Sequence, residues 1–342
     1  WHARTRALFV TSGSAANLVL LQALLNAGRL RRGDRVGFSA LTWATNVMPI
    51  IQLGLVPVAL DCELDTLNVS PRILAAAAGL RCLFLTNVLG FCDDLPGIAS
   101  FCRERGIVLL EDNCESLGSR IGGRLLGNYG LASTFSFFVG HHMSTIEGGM
   151  VCTDDEELAD AATMVRAHGW DRNLPPERRR KWRDAHRVDD FYAKYTFFDL
   201  AFNARPTEIN GFIGNLQLPF LPEIVERRRS NYGRFAAAAR GNGGILPIRD
   251  GHMELVSNFA MPVVFRERER FERTRQAFTD ARIEIRPIIA GDMTRQPFYR
   301  KYVSEPEPCP NSGLVHQQGF YFGNNPDLTE EELATIERAL AA

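Results

Sequence analysis

Ala7-Leu8-Phe9-Val10-Thr11-Ser12-Gly13-Ser14-Ala15-Ala16-Asn17 sets the reading of this 342-residue chain. Residues 7–11 are apolar and read as a strand, and an amphipathic helix follows over 16–26. Between them, Ser12-Gly13-Ser14 combines hydroxyls with the free N–H groups of a helix N-terminus, an arrangement suited to a phosphate. The same residues also read as a plain N-cap.

Outward from this stretch the alternation repeats. Strands are expected at 35–39, 56–61, 81–86, 106–111, 135–138 and 149–153, and helices at 46–53 and 156–165. Strand–helix alternation argues for an α/β fold with a mostly parallel sheet covered on both faces, whose ligands bind outside the carboxyl ends of the strands. Residues 206–218 and 222–239 read as helices, and the Gly- and Pro-rich 241–251 as a boundary. A strand at 260–265, a helix at 267–281, a short strand at 283–286 and a helix at 329–341 make a smaller α/β unit. The expected division is a large domain over 1–220 and a small C-terminal domain over 221–342 with a linking helix. Residues 172–190 stand apart. Pro175-Pro176 followed by Glu177-Arg178-Arg179-Arg180-Lys181-Trp182-Arg183 reads as an exposed loop or basic helix facing solvent or an anionic ligand.

Composition narrows the function. Of 39 basic side chains only Lys181, Lys194 and Lys301 are lysines, and the first 180 residues contain none. Chemistry that needs a lysine amine in the N-terminal half is therefore excluded. A net charge of −1 gives no electrostatic reason to expect nucleic acid or an anionic membrane. No apolar run approaches the roughly 20 residues that span a bilayer. The chain starts at Trp1 without an initiator Met or a leader, so further residues are expected ahead of it. Seven scattered cysteines, none in a Cys-x-x-Cys pair, read as free thiols of a reducing, cytoplasmic compartment. None lies within 155–297, which excludes a cluster-binding insert there.

Two further motifs follow strands. Glu111-Asp112-Asn113-Cys114-Glu115-Ser116 places a carboxylate where it could hold a protonated pyridine nitrogen, or simply cap a helix. The other runs Thr134-Phe135-Ser136-Phe137-Phe138-Val139-Gly140-His141-His142-Met143-Ser144-Thr145-Ile146-Glu147-Gly148-Gly149. Together the three motifs resemble the sugar aminotransferase family of fold-type-I pyridoxal-phosphate proteins. That family shows a Thr-Ser-Gly-Thr/Ser-Ala loop, then Glu-Asp-x-x-Gln/Glu, then Phe-Ser-Phe-x-x-x-Lys followed closely by Glu-Gly-Gly. Arg166-Ala167-His168-Gly169 and Asn203-Ala204-Arg205-Pro206-Thr207-Glu208 look like further family landmarks.

Where the family carries its cofactor-anchoring lysine, this chain has His141. Within the family, that replacement resembles the sugar 3-dehydratases. A related branch adds an iron–sulfur cluster, which the cysteine-free span argues against. The resemblance implies pyridoxal or pyridoxamine 5′-phosphate as cofactor, with Gly13, Ser14 and Ser136 on its phosphate. It implies Trp43 against the ring, Asp112 on the pyridine nitrogen and Glu115 near the ring hydroxyl, where aminotransferases usually have Gln. It implies a homodimer with a shared active site, in which Asn203 reaches the neighbouring subunit's phosphate. His141 becomes the general base, with His142 directed elsewhere, and His168, Arg205 and Arg286 are candidates for substrate contact. The implied reaction removes the C3 hydroxyl of a nucleotide-linked, GDP-bearing 4-keto-6-deoxyhexose, with glutamate as amino donor. The alternatives are a nucleotide-sugar aminotransferase and a non-catalytic cofactor-binding relative. Two features depart from the family pattern. Its usual Gly-Tyr-Asn is Ala201-Phe202-Asn203 here, and the basic stretch 178–183 has no counterpart.

Overall fold

The apolar runs expected as strands assemble into one sheet. The computed structural model describes residues 2–341, so expectations about what precedes Trp1 fall outside the described residues. Its strands are β1 (Arg6–Val10), β2 (Arg35–Ser39), β3 (Val56–Leu60), β4 (Cys82–Thr86), β5 (Val108–Asp112), a small hairpin β6 (Arg120–Ile121) and β7 (Arg124–Leu125), β8 (Ala132–Ser136) and β9 (Gly149–Thr153). Seven of these form a sheet in the order β1-β9-β8-β5-β4-β2-β3. Only β9 runs antiparallel to its neighbours, β1 and β8. The central strand β4 is buried at every residue, as its unbroken apolar run requires of a strand covered on both faces.

The chain then builds a second, antiparallel sheet, β10 (Ala260–Val264), β12 (Gly319–Gly323) and β11 (Ile285–Arg286), in that order. Pro262 fits in β10 because that strand is an edge. Phe278 packs 5.1 Å from both Phe320 and Phe322, and Phe235 lies 5.2 Å from Phe322. This aromatic core continues through Val88, Leu89 and Phe91 onto the carboxyl end of β4. The helix Leu221–Gly241 and the segment before β10 are thereby held against the strand ends of the main sheet.

Several boundaries differ from the expectations. The helix expected at 16–26 begins at Gly13, because Ser12 caps it by accepting from Ala15 N. The strand expected at 135–138 is Ala132–Ser136, since the rungs to β5 and β9 use Ala132, Ser133 and Thr134. The apolar Phe137 and Phe138 pulled the sequence reading past the strand end. The helices Leu95–Glu104 and Pro310–Gln318 and the strand β12 have no counterpart among the expectations. Asp94 caps the first by accepting Gly97 N, and glycines stand at both ends of β12. The basic segment resolves as a helix, Pro176–His186, with no buried residue.

Candidate functional site

The carboxyl end of β5 shows how strand alternation sorts two adjacent carboxylates. Glu111 is fully buried and accepts the backbone N–H groups of Gly127, Tyr129 and Gly130, each at 2.7 Å. It is a structural tie. Asp112 faces the other way, where Asn17 Nδ2 and Asn46 Nδ2 both donate to its Oδ2 at 2.9 Å and Cys114 N donates to Oδ1 at 2.9 Å. Neither asparagine was expected at the site. Asn17 is a buried amide one turn into a mostly apolar helix that also buries Gln22, and a polar residue so close to the phosphate turn is the signal that could have found it. Asn46 closes the turn Ala44–Asn46 that begins after Trp43, whose indole is 53 % exposed.

Gly13 and Ser136 meet tightly beside this carboxylate's strand. A Cβ at Gly13 would lie 2.6 Å from Ser136 Cβ and 3.1 Å from Cys114 Sγ. Ser12 satisfies the N–H groups of Ala15 and Ala16, while those of Gly13 and Ser14 have no acceptor within the helix. Gly149 presses on the same turn, since a Cβ there would come within 2.2 Å of Ser12 O and 2.6 Å of Gly13 N. Backbone cannot yield as a side chain does. Gly149→Ala is therefore expected to destabilise the fold by about 1–3 kcal/mol and to weaken phosphate-ester binding, measured by thermal unfolding and cofactor titration. Unchanged values for both would show that the turn can relax.

His141 sits in the excursion between β8 and β9. Its ring stacks on Phe259 at 4.9 Å and 24°, and meets Phe138 edge-on at 5.9 Å. Burial pushes its pKa down to about 4 with Arg228 adding to the fall, while the Ser136 backbone and Asp112 oppose it. The imidazole is thus neutral at pH 7, and its Nδ1 is buried with no partner. His142 is more deeply buried and meets the same Phe259 edge-on at 6.0 Å.

Glu115 is buried and accepts Leu89 N at 2.8 Å. Burial, with Asp112 adding to it against the Leu89 N–H, pushes its pKa up to about 8. The folded protein therefore holds this proton more tightly than the unfolded chain, where the ordinary value is 4.5. The stability contributed is fully present below about pH 4.5 and is lost as pH rises to about 8. Glu115→Gln should remove that dependence. Relative to the parent, the variant should gain on the order of a few kcal/mol between pH 5 and pH 9, read from paired unfolding curves. Parallel curves would overturn this assignment of the proton.

The exposed Asn203 and Arg205 and the half-buried His168 form a separate group. Arg205 Nε donates to Asn203 Oδ1 at 3.0 Å, and its Nη2 lies 3.5 Å from His168 Nε2. Thr11 N donates to Ala204 O at 3.1 Å, which places the group beside the end of β1. Arg286 extends from the small sheet, with Nε and Nη2 on Glu284 Oε1 at 3.0 and 2.6 Å, next to Tyr321. Phe259 and Arg228, both against His141, were missed. Arg228 lies in the charged run Arg227-Arg228-Arg229, where nothing in the sequence separates it from its exposed neighbours.

The model of the DegT/DnrJ/EryC1/StrS aminotransferase family matches residues 1–341. A GDP-4-keto-6-deoxy-D-mannose 3-dehydratase of Yersinia pseudotuberculosis is 33 % identical over 335 residues, covering 95 % of this chain and 84 % of the relative. Two solved structures of a GDP-4-keto-6-deoxymannose 3-dehydratase superpose with a TM-score of 0.88 at 29 % identity, covering 99 % of this chain and 89 % of each. One holds GDP-perosamine, and the other holds PLP and glutamate trapped as a geminal diamine. With the strand order, the glycine–serine turn and the Asp112 carboxylate in place, this chain belongs to the DegT/DnrJ/EryC1/StrS aminotransferase family.

Proposed function

We propose that this chain is a pyridoxamine-phosphate-dependent 3-dehydratase acting on a GDP-linked 4-keto-6-deoxyhexose, with glutamate restoring the amine. The observation that carries it is the neutral, partly buried His141, in a chain whose first 180 residues hold no lysine. The residues present suit the cofactor. A side chain on Gly13 would fill the space against Ser136, two amides fix Asp112, and the exposed Trp43 is free to cover a ring. Bound in its amine form, the cofactor supplies a nitrogen for the C4 ketone and an electron sink that lets the C3 hydroxyl depart.

The chain's own residues do the rest. Ser14, Ser136 and the N–H groups at the helix start bind the phosphate. Asp112 accepts the pyridine N–H, held in place by Asn17 and Asn46. Protonated Glu115 presents an O–H toward the ring hydroxyl, the part played by the amide of Gln in aminotransferases. His141 takes up and returns a proton at a ring nitrogen, which an always-charged arginine could not do. No bound lysine competes for the cofactor, which favours elimination over stable amine transfer.

The test supplies the GDP-4-keto-6-deoxy sugar, glutamate and PLP, and follows nitrogen. A dehydratase consumes one glutamate per turnover, releases ammonia and returns a sugar lacking the C3 oxygen. Recovery of the nitrogen in a 4-amino sugar would establish the aminotransferase instead.

A second copy of this chain completes the site in this reading. The helix Glu208–Gln217 has no buried residue, and Ile209, Phe212 and Leu216 form an exposed apolar stripe with Phe220 nearby. Such a stripe needs cover. Pairing would carry the adjoining Asn203 to the neighbour's phosphate, with Arg205 beside it for substrate. The double variant Ile209→Asp, Phe212→Asp should sediment as a monomer and lose most of its turnover. A monomeric variant with full turnover would refute the shared site. We place the division between the two domains near residue 220 and the protein in the cytoplasm. Among the described residues no helix is long and apolar enough to cross a membrane.

A further inference from the structure

Arg228 is 6 % exposed, yet among the described residues no carboxylate lies within ion-pair distance of it. Its guanidinium spends its bonds on two carbonyls. Nη1 donates to Asn324 O at 2.8 Å and Nη2 to His141 O at 3.2 Å, while Nε has no partner. Burying a cation in this way is costly, and apolar residues of similar size would fill the space without that cost.

The surrounding bonds show where the cation acts. Asn324 is itself fully buried. Its side chain donates back to Arg228 O at 2.9 Å and to Asn258 Oδ1 at 2.8 Å, and its backbone N–H donates to Phe259 O at 2.8 Å. Phe259 is the ring on which His141 stacks. The network therefore closes on itself. It runs from the His141 carbonyl to Arg228, to Asn324, to Phe259, and back to the face of the His141 imidazole. One end of that ring belongs to the loop after β8, and the other to the segments flanking β10 and β12.

We propose that Arg228 is the positioning residue for His141, holding the histidine's backbone and its stacking partner in one register across the junction of the two sheets. This rests on the assignment of His141 as the proton-moving group. The charged groups facing His141 are Asp112 on β5 and Arg228 on the helix Leu221–Gly241, with His142 adjacent in the chain. Arg228 thus has a second effect: a positive charge with no carboxylate bonded to it, offset only at a distance by Asp327, disfavours another one on the imidazole. That keeps the base ready while Asp112 pulls in the opposite sense.

The test compares Arg228→Gln and Arg228→Lys in the PLP-loaded enzyme, with the His141 imidazole followed by NMR titration. Gln can donate to one carbonyl but carries no charge. It should lower kcat about tenfold or more through misorientation, leave KM within about twofold, and move the acidic limb of the kcat profile upward, by less than burial itself lowers it. The imidazole titration should move by the same amount. Lys keeps the charge, so its limb and titration should stay in place while kcat falls less than in the Gln variant. The proposal is overturned if the Gln variant keeps the parental kcat and limb. It is equally overturned if both variants lose activity only in proportion to lost PLP and melting temperature, with the titration unmoved. Should the Gln variant fail to fold, a shifted limb in the Lys variant overturns it. His141→Asn run alongside separates the two ideas. If that variant keeps its turnover, the role given to His141 fails, whereas turnover lost there and unaltered in the Arg228 variants removes only this inference.

Discussion

Replacing His141 by Asn is expected to lower turnover about a thousandfold, within the range that a positioned acid–base group contributes. Asparagine keeps a polar tip of similar reach but cannot take up a proton. The loss should fall on kcat, because the imidazole is neutral and makes no ion pair for the substrate's ground state to exploit. The glutamate half-reaction should slow as well, since the same nitrogen serves both directions. PLP content should stay near that of the parent, because phosphate and ring are held by residues on other elements. Rapid-quench single turnovers beside a PLP absorbance titration read both quantities. A variant that binds PLP normally and still turns over within a few-fold of the parent would remove His141 from the mechanism and favour a non-histidine base or a regulatory role.

The second large effect is expected at Asp112→Asn. Asp112 Oδ2 accepts from both Asn17 and Asn46 at 2.9 Å, and Oδ1 accepts Cys114 N. An asparagine can place only one oxygen among these donors. If its NH2 faces the two amides, Asn17 and Asn46 must both turn over to offer their otherwise unpartnered Oδ1 atoms, and the negative charge is still lost. If its oxygen faces them, the NH2 faces Cys114 N and no acceptor remains for a pyridine N–H. Either orientation should weaken PLP binding and lower kcat by about a hundredfold or more, through loss of charge stabilisation at the ring. Fluorescence titration with PLP and thermal unfolding without it separate the two contributions. An unaltered PLP affinity would show that Asp112 does not face the ring nitrogen.

How much of this was legible in the sequence depends on whether a signal was local. Apart from β8, the parallel strands were read within a residue or two, because buried central strands are unbroken apolar runs. The turn at Ser12-Gly13-Ser14, the Asp112 carboxylate and the Gly148-Gly149 pair were visible as motifs, since each needs a particular residue at one backbone position. What escaped was non-local. Asn17 and Asn46 serve Asp112 from 95 and 66 residues away, and Asn324 serves Arg228 from 96. No period or spacing encodes such a meeting. The helix Leu221–Gly241 was read correctly as a helix, but its arginines look alike in sequence. Only the packing of the second sheet buries Arg228 and leaves Arg227 and Arg229 on the surface, paired with Glu223 and Glu226. Phe259 escaped for a related reason, since a lone aromatic just ahead of a strand reads as ordinary core.

The excursion that carries His141 leaves the sheet at Ser136 and returns at Gly149, and those two residues are partners on the same rung of the β8–β9 ladder. Phe137 N donates to Gly148 O at 2.9 Å, which shuts the neck behind it. Twelve residues are therefore strung from one closed neck, and beyond it Gln217 holds Ser144, Asn210 holds the Thr145 and Glu147 carbonyls and Arg228 holds the His141 carbonyl. A side-chain exchange at 141 leaves those backbone ties and the seven strands in place, so an amine can give way to an imidazole there on an unchanged scaffold. A transplant of the whole excursion would have to carry Asn210, Gln217 and Arg228 with it.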